Sequence, residues 1–132
     1  MKAKFIYEVM GDVLKGKSEK EIMSSLENIN LKPDELLIKS AKGGFLIGVK
    51  KAIEIGADVH AHDDYALREA SEKGHYDVVK FLLKNSANAK DDLALRVASE
   101  NGHKYVVELL LNYGAASQNG HLDVVELLKK YM

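Results

Sequence analysis

The sequence predicts an all-α solenoid of stacked helix–turn–helix units behind an N-terminal helical cap. Three observations carry that expectation. Asp63–Leu83 reads Asp-Asp-Tyr-Ala-Leu-Arg-Glu-Ala-Ser-Glu-Lys-Gly-His-Tyr-Asp-Val-Val-Lys-Phe-Leu-Leu, and Asp91–Leu111 repeats it at 14 of its 21 positions, 28 residues later. Self-similarity with a period of about 20–50 residues is the signature of a repeat architecture. Each copy splits into two short apolar-periodic segments around a Gly-His pair, Gly74-His75 and Gly102-His103. Finally, the 132 residues include one proline and no tryptophan, and strong helix formers fill the rest.

The elements follow in order. Phe5, Ile6, Val9, Met10, Val13 and Leu14 form a helical stripe over residues 3–14 that calls for burial, and Gly16 ends it. Ser18-Glu19-Lys20-Glu21 has the form of a capping box, in which side chains at the first turn satisfy two orphan amides reciprocally. A second helix is expected over about 19–28, with Ile22, Met23, Leu26 and Ile29 on one face. Pro33 suits the first turn of a third helix, Pro33–Lys42, followed by a Gly43-Gly44 turn and a second helix at Gly48–Ile55 with Val49, Ala52 and Ile53 inward. This unit aligns with the next when Gly44 is set on Gly74, which brings Leu37 onto Leu67, Ser40 onto Ala70 and Phe45 onto His75. Asp63-Asp64 and Asp91-Asp92 stand where acids cap and complement a helix N-terminus. The tail is irregular: Gly120-His121 follows Gly102 after 18 residues, so about twelve residues of a full unit are missing. Its Val124, Val125, Leu127 and Leu128 still form an apolar face.

These motifs resemble ankyrin repeats. The resemblance rests on Leu67 and Ala70, Gly74-His75, Val78-Val79 and Leu82-Leu83, and on Leu95 and Ala98, Gly102-His103, Val106-Val107 and Leu110-Leu111. Gly56-Ala57-Asp58-Val59 supplies the family's loop, with Ser86-Ala87-Asn88 and Gly114-Ala115 as weaker versions. The chain departs from the family in two respects. The family's repeat is about 33 residues with a Thr-Pro-Leu-His helix start, whereas Tyr65-Ala66-Leu67-Arg68 and Leu93-Ala94-Leu95-Arg96 stand here and the loops are shorter. The compact form is similar to ankyrins of large DNA viruses, phages and some bacteria. An N-terminal cap at residues 1–32 is expected, then a solenoid at 33–132 divided into 33–62, 63–90, 91–115 and a truncated 116–132.

Composition narrows the function. A formal net charge of −1 argues against a general nucleic-acid or membrane-surface binder. With no cysteine there is neither a disulfide nor a thiolate metal site, which fits a reducing compartment. No apolar run approaches the roughly 20 residues that span a bilayer, and Glu8 and Asp12 interrupt any signal-peptide core. A cytoplasmic protein is expected, in the host cytoplasm if a virus or phage encodes it.

Enzymatic chemistry finds little support. His75, His103 and His121 recur at one repeat position, which points to a ring nitrogen satisfying a backbone group of a neighbouring unit. His60-Ala61-His62-Asp63-Asp64 is the one local cluster with metal-ligand chemistry, and it lacks the third and fourth ligands at fixed geometry that a zinc site needs. Ser71 and Ser99 read as small packing residues, Arg68 and Arg96 as members of inter-repeat ion pairs, and Gly43-Gly44 as a turn without the Lys-Ser/Thr of a phosphate loop. No cofactor is expected.

What the resemblance implies is a concave face, lined by first helices and loops, that binds another protein. By alignment its exposed positions are Asp64, Tyr65, Glu72 and Lys73 in one unit, Asp92, Leu93, Glu100 and Asn101 in the next, and Gln118 and Asn119 in the tail. Aromatic residues are favoured as interface anchors, so Tyr65, with the apolar Leu93, is the expected anchor. The expected function is therefore an adaptor or inhibitor that binds a partner protein. A second reading is a homo-oligomer that self-associates through the truncated last unit. A metal-dependent enzyme at His60 and His62 is the third.

Overall fold

The computed structural model describes residues 16–26, 31–87 and 92–113, and all regular structure among them is helical. Seven helices follow in order: α1 (Glu19–Leu26), α2 (Pro33–Gly43), α3 (Leu46–Glu54), α4 (Ala61–Lys73), α5 (Tyr76–Lys84), α6 (Asp92–Glu100) and α7 (Lys104–Asn112). The expected helix over residues 3–14 and the tail unit lie outside the described residues.

α1 begins with the capping box read from the sequence. The Glu21 amide donates to Ser18 Oγ at 3.2 Å, and the Ser18 amide donates back to Glu21 Oε1 at 3.2 Å. The Ser18 amide and then its hydroxyl hold the Glu21 carboxyl below the usual glutamate range. α2 opens on Pro33, whose missing N–H falls where no intrahelical partner exists, with Asp34 and Glu35 in the first turn. It runs through Gly43, one residue past the expected Lys42, and closes on Gly44 of the expected turn in the left-handed region (φ 74°). The Phe45 amide then reaches back to the Ser40 carbonyl at 2.8 Å, and Gly74 and Gly102 end α4 and α6 in the same conformation.

α3 starts at Leu46, two residues before the expected Gly48, because Phe45 itself supplies the first helical carbonyl, to Val49. Gly48 is an internal contact residue. A Cβ there would collide with Ser40 Oγ and with Phe45 Cδ2, so the missing side chain is what lets α3 approach α2 this closely.

The entry to α4 departs furthest from expectation. His62, Asp63 and Asp64 all take left-handed dihedrals, with φ of 53°, 57° and 59°, before the right-handed helix runs on to Lys73. Each such residue costs roughly 1–2 kcal/mol in an L-chain, least for short polar side chains that bond locally. The turn is tied on both sides. His60 Nδ1 lies 2.9 Å from Asp64 Oδ1, and Arg68 Nη2 donates to the His62 carbonyl at 2.9 Å. Upstream, the Asp58 amide donates to Asp34 Oδ1 at 2.7 Å, which fastens the loop to the start of α2.

The helices form two layers. Pairs α2–α3, α4–α5 and α6–α7 each pack as a hairpin; the first helices α2, α4 and α6 pack side by side, as do α3, α5 and α7. α1 packs on α3 and so extends the second-helix layer by one place. Between the layers lies one apolar core in which Leu37, Leu67 and Leu95 of the first helices meet Val49, Val79 and Leu110 of the second, all fully buried. Each side chain covered this way contributes on the order of 1.5–3 kcal/mol.

Candidate binding face

The turn histidines are structural. A carbonyl can only accept, so each ring donates from Nε2: His75 to Lys42 O at 3.1 Å and His103 to Glu72 O at 2.8 Å. Each ring also lies against the turn glycine of the preceding unit, where a Cβ on Gly44 or Gly74 would come within 2.6 or 2.5 Å of Nδ1. Glycine is therefore required there twice over, for the positive φ and for the space. His121 lies outside the described residues.

His60 faces Asp64, and among the described residues no group of three or more His, Cys, Asp or Glu side chains could hold a metal ion. His62 is exposed and contributes its carbonyl to Arg68. Ser71 and Ser99 are fully buried between helices, with Ser99 Oγ bonded to the Leu95 carbonyl at 2.8 Å.

The first-helix layer presents most of the expected partner-binding residues to solvent. Tyr65 (37% exposed) and Leu93 (44%) hold the same position of adjacent helices, and Glu72, Lys73, Glu100 and Asn101 are exposed near the C-terminal ends. Asp64 is the correction. It is only 7% exposed, because the left-handed turn folds its carboxylate back against His60 and away from the face. The Asn101 amide folds back onto the Val97 carbonyl at 2.7 Å. Asp92 opens α6, but its side chain is outside the description, as are Gln118 and Asn119.

Two features were not read from the sequence. The Arg68 guanidinium lies 5.6 Å from the centre of the Tyr65 ring while bonding to His62 O, so it props the ring from one side. On the opposite layer, a groove of about 370 Å³ is bordered by Tyr76, Tyr105, Glu108, Leu109 and Asn112. The helical spacing of the last four was the available signal, since they fall on one stripe of α7.

Charge divides between the layers. By sequence, α2, α4 and α6 carry eight carboxylates against five Lys and Arg, while α3, α5 and α7 carry three against five. Across the first-helix layer, Lys42 pairs with Glu69 of the next unit at 3.8 Å. No helix among the described residues is long and apolar enough to cross a membrane.

Comparison with known proteins agrees with this geometry. No curated protein matches the chain. The family model for ankyrin repeats in three copies matches residues 36–117, from within α2 to beyond α7 and more than half of the chain. Paired helices, left-handed turn glycines and histidines bonded to the preceding unit occur over that same span, and the chain belongs to the ankyrin-repeat family.

Proposed function

We propose that this chain is an adaptor or inhibitor that binds one partner protein through its first-helix face and acts by covering a surface of that partner. Ankyrin repeats are in general protein–protein interaction modules. The observation that carries the reading here is the pair Tyr65 and Leu93, two large apolar side chains left in solvent at the same position of neighbouring helices. An aromatic side chain such as Tyr65 serves as an interface anchor, and Leu93 extends the apolar surface beside it. The left-handed turn and Arg68 hold Tyr65 in place before any partner arrives, which lowers the ordering cost of binding. Asp64, by contrast, acts from beneath the face. Residues 1–32 serve as the cap of the stack in this reading. The protein performs no catalysis and works in the cytoplasm, that of the host if a virus or phage encodes it.

The test is a quantitative affinity capture at physiological salt with three baits: the full chain, Tyr65→Ala/Leu93→Ala, and Tyr105→Ala. The expected outcome is a partner held by the first and third baits and weakened by about 2 kcal/mol or more with the double variant, roughly thirtyfold. A partner held equally by all three, or none held by any, would sink the proposal.

A further inference from the structure

The binding face carries a repeated two-point pattern that specifies the chemistry of what it binds. Glu72 lies seven residues after Tyr65, and Glu100 lies seven after Leu93. Seven residues are two helical turns, about 10 Å along the same face. α4 and α6 pack side by side, and neighbouring helix axes lie about 8–10 Å apart. The four side chains thus mark the corners of a patch about 10 Å on each side, with apolar groups at one edge and carboxylates at the other. All four are exposed, and among the described residues neither Glu72 nor Glu100 forms an ion pair.

Arg68 and Arg96 stand between the two edges, one in each unit. The Arg68 guanidinium is engaged at the N-terminal edge, over Tyr65 and on His62 O. In the first unit the position equivalent to Glu72 is Lys42, and Glu69 engages it at 3.8 Å. Lys73 stands beside Glu72, but Asn101 takes that position in the next unit, so the cation is not repeated. The acidic excess of the whole first-helix layer acts in the same direction.

We propose that the segment recognised here is cationic and apolar-anchored: a stretch of a partner protein that sets an apolar side chain against Tyr65 and Leu93 and a Lys or Arg about 10 Å away against Glu72 and Glu100. This rests on the first-helix face being the binding face. The anchors supply affinity and the carboxylates supply selection, since complementary charge rejects acidic competitors and speeds encounter.

The experiment is selection of a random displayed peptide library on the immobilised full chain. In parallel it uses Glu72→Lys/Glu100→Lys, Tyr65→Ala/Leu93→Ala, and Glu54→Lys on the other layer, each checked for native helicity by circular dichroism. The expected result is enrichment of peptides pairing apolar residues with Lys or Arg. Their affinity should fall about tenfold in the Glu72/Glu100 variant, the scale of two reversed exposed pairs, and stay unchanged in Glu54→Lys. The reversed variant should itself select acidic peptides. Acidic or uncharged peptides that need Tyr65 and Leu93 but ignore Glu72 and Glu100 would overturn the cationic partner and leave the binding face standing. Peptides indifferent to both double variants, or no enrichment, would overturn both. Concentration-dependent mass of the free chain by light scattering, abolished by Glu72→Lys/Glu100→Lys, would overturn the foreign segment in favour of the lysine-rich layer of a second copy.

Discussion

Ser86 holds the position that Gly56 holds one unit earlier, and both have positive φ, 77° and 100°. A serine there bears a strain that glycine does not, so Ser86→Gly is expected to stabilise the fold by about 0.5–1 kcal/mol in chemical denaturation. Gly74 illustrates the reverse. Gly74→Ala adds a Cβ to a left-handed residue with the His103 ring 2.5 Å away, and a loss of at least about 2 kcal/mol is expected. In the double variant with His103→Ala the collision is gone, so the two losses should fall short of additivity, and denaturant midpoints of the four proteins measure the difference. The turn glycines and histidines were legible in the sequence because each recurs with its neighbours. Asp64 was not legible, because an Asp-Asp pair before an apolar run reads as a helix cap in either backbone hand.

At the scale of elements, starts and stops were legible wherever a residue type has one dominant use. Pro33 opens α2, Ser18 and Glu21 close their box around the first turn of α1, and Gly44 and Gly74 end α2 and α4. The start of α3 was misplaced for a physical reason. Phe45-Leu46-Ile47 contains no capping side chain, and Gly48 looks like a boundary when it is a packing contact with Ser40. The groove at Tyr76 and Tyr105 is not legible in the sequence because the apolar periodicity of the second helices marks the side they bury. The capping box makes a prediction that proton titration can check. Ser18 lowers the Glu21 carboxyl below the ordinary value of 4.5, so its stabilising effect is complete above that pH and is lost as pH falls through the lower folded-state value. Ser18→Ala removes the hydroxyl bond and keeps the amide, so the Glu21 carboxyl should titrate only part of the way back toward the ordinary value, measured by NMR of its side-chain carbon. A Glu21 that titrates at the ordinary value in the unsubstituted protein would mean that the box does not hold in solution.

The described residues form a row of units in which each packs on its immediate neighbours, α2–α4–α6 in one layer and α1–α3–α5–α7 in the other. Stability in such a row is a sum of unit and nearest-neighbour terms. Leu95→Ala empties a fully buried site in α6, at a cost of about 2–5 kcal/mol. Hydrogen exchange should accelerate most in α6 and α7, less in α4 and α5, and least in α1. Uniform acceleration would instead mark the stack as one cooperative block. The histidine contacts add a direction to the row. The plug, a ring donating from Nε2, belongs to one unit, and the socket, a glycine with the carbonyl two residues before it, belongs to the unit ahead of it. A unit duplicated whole carries both halves and joins the row without a new fitting surface. A segment copied out of phase parts plug from socket, so a whole unit is the increment that keeps the join intact.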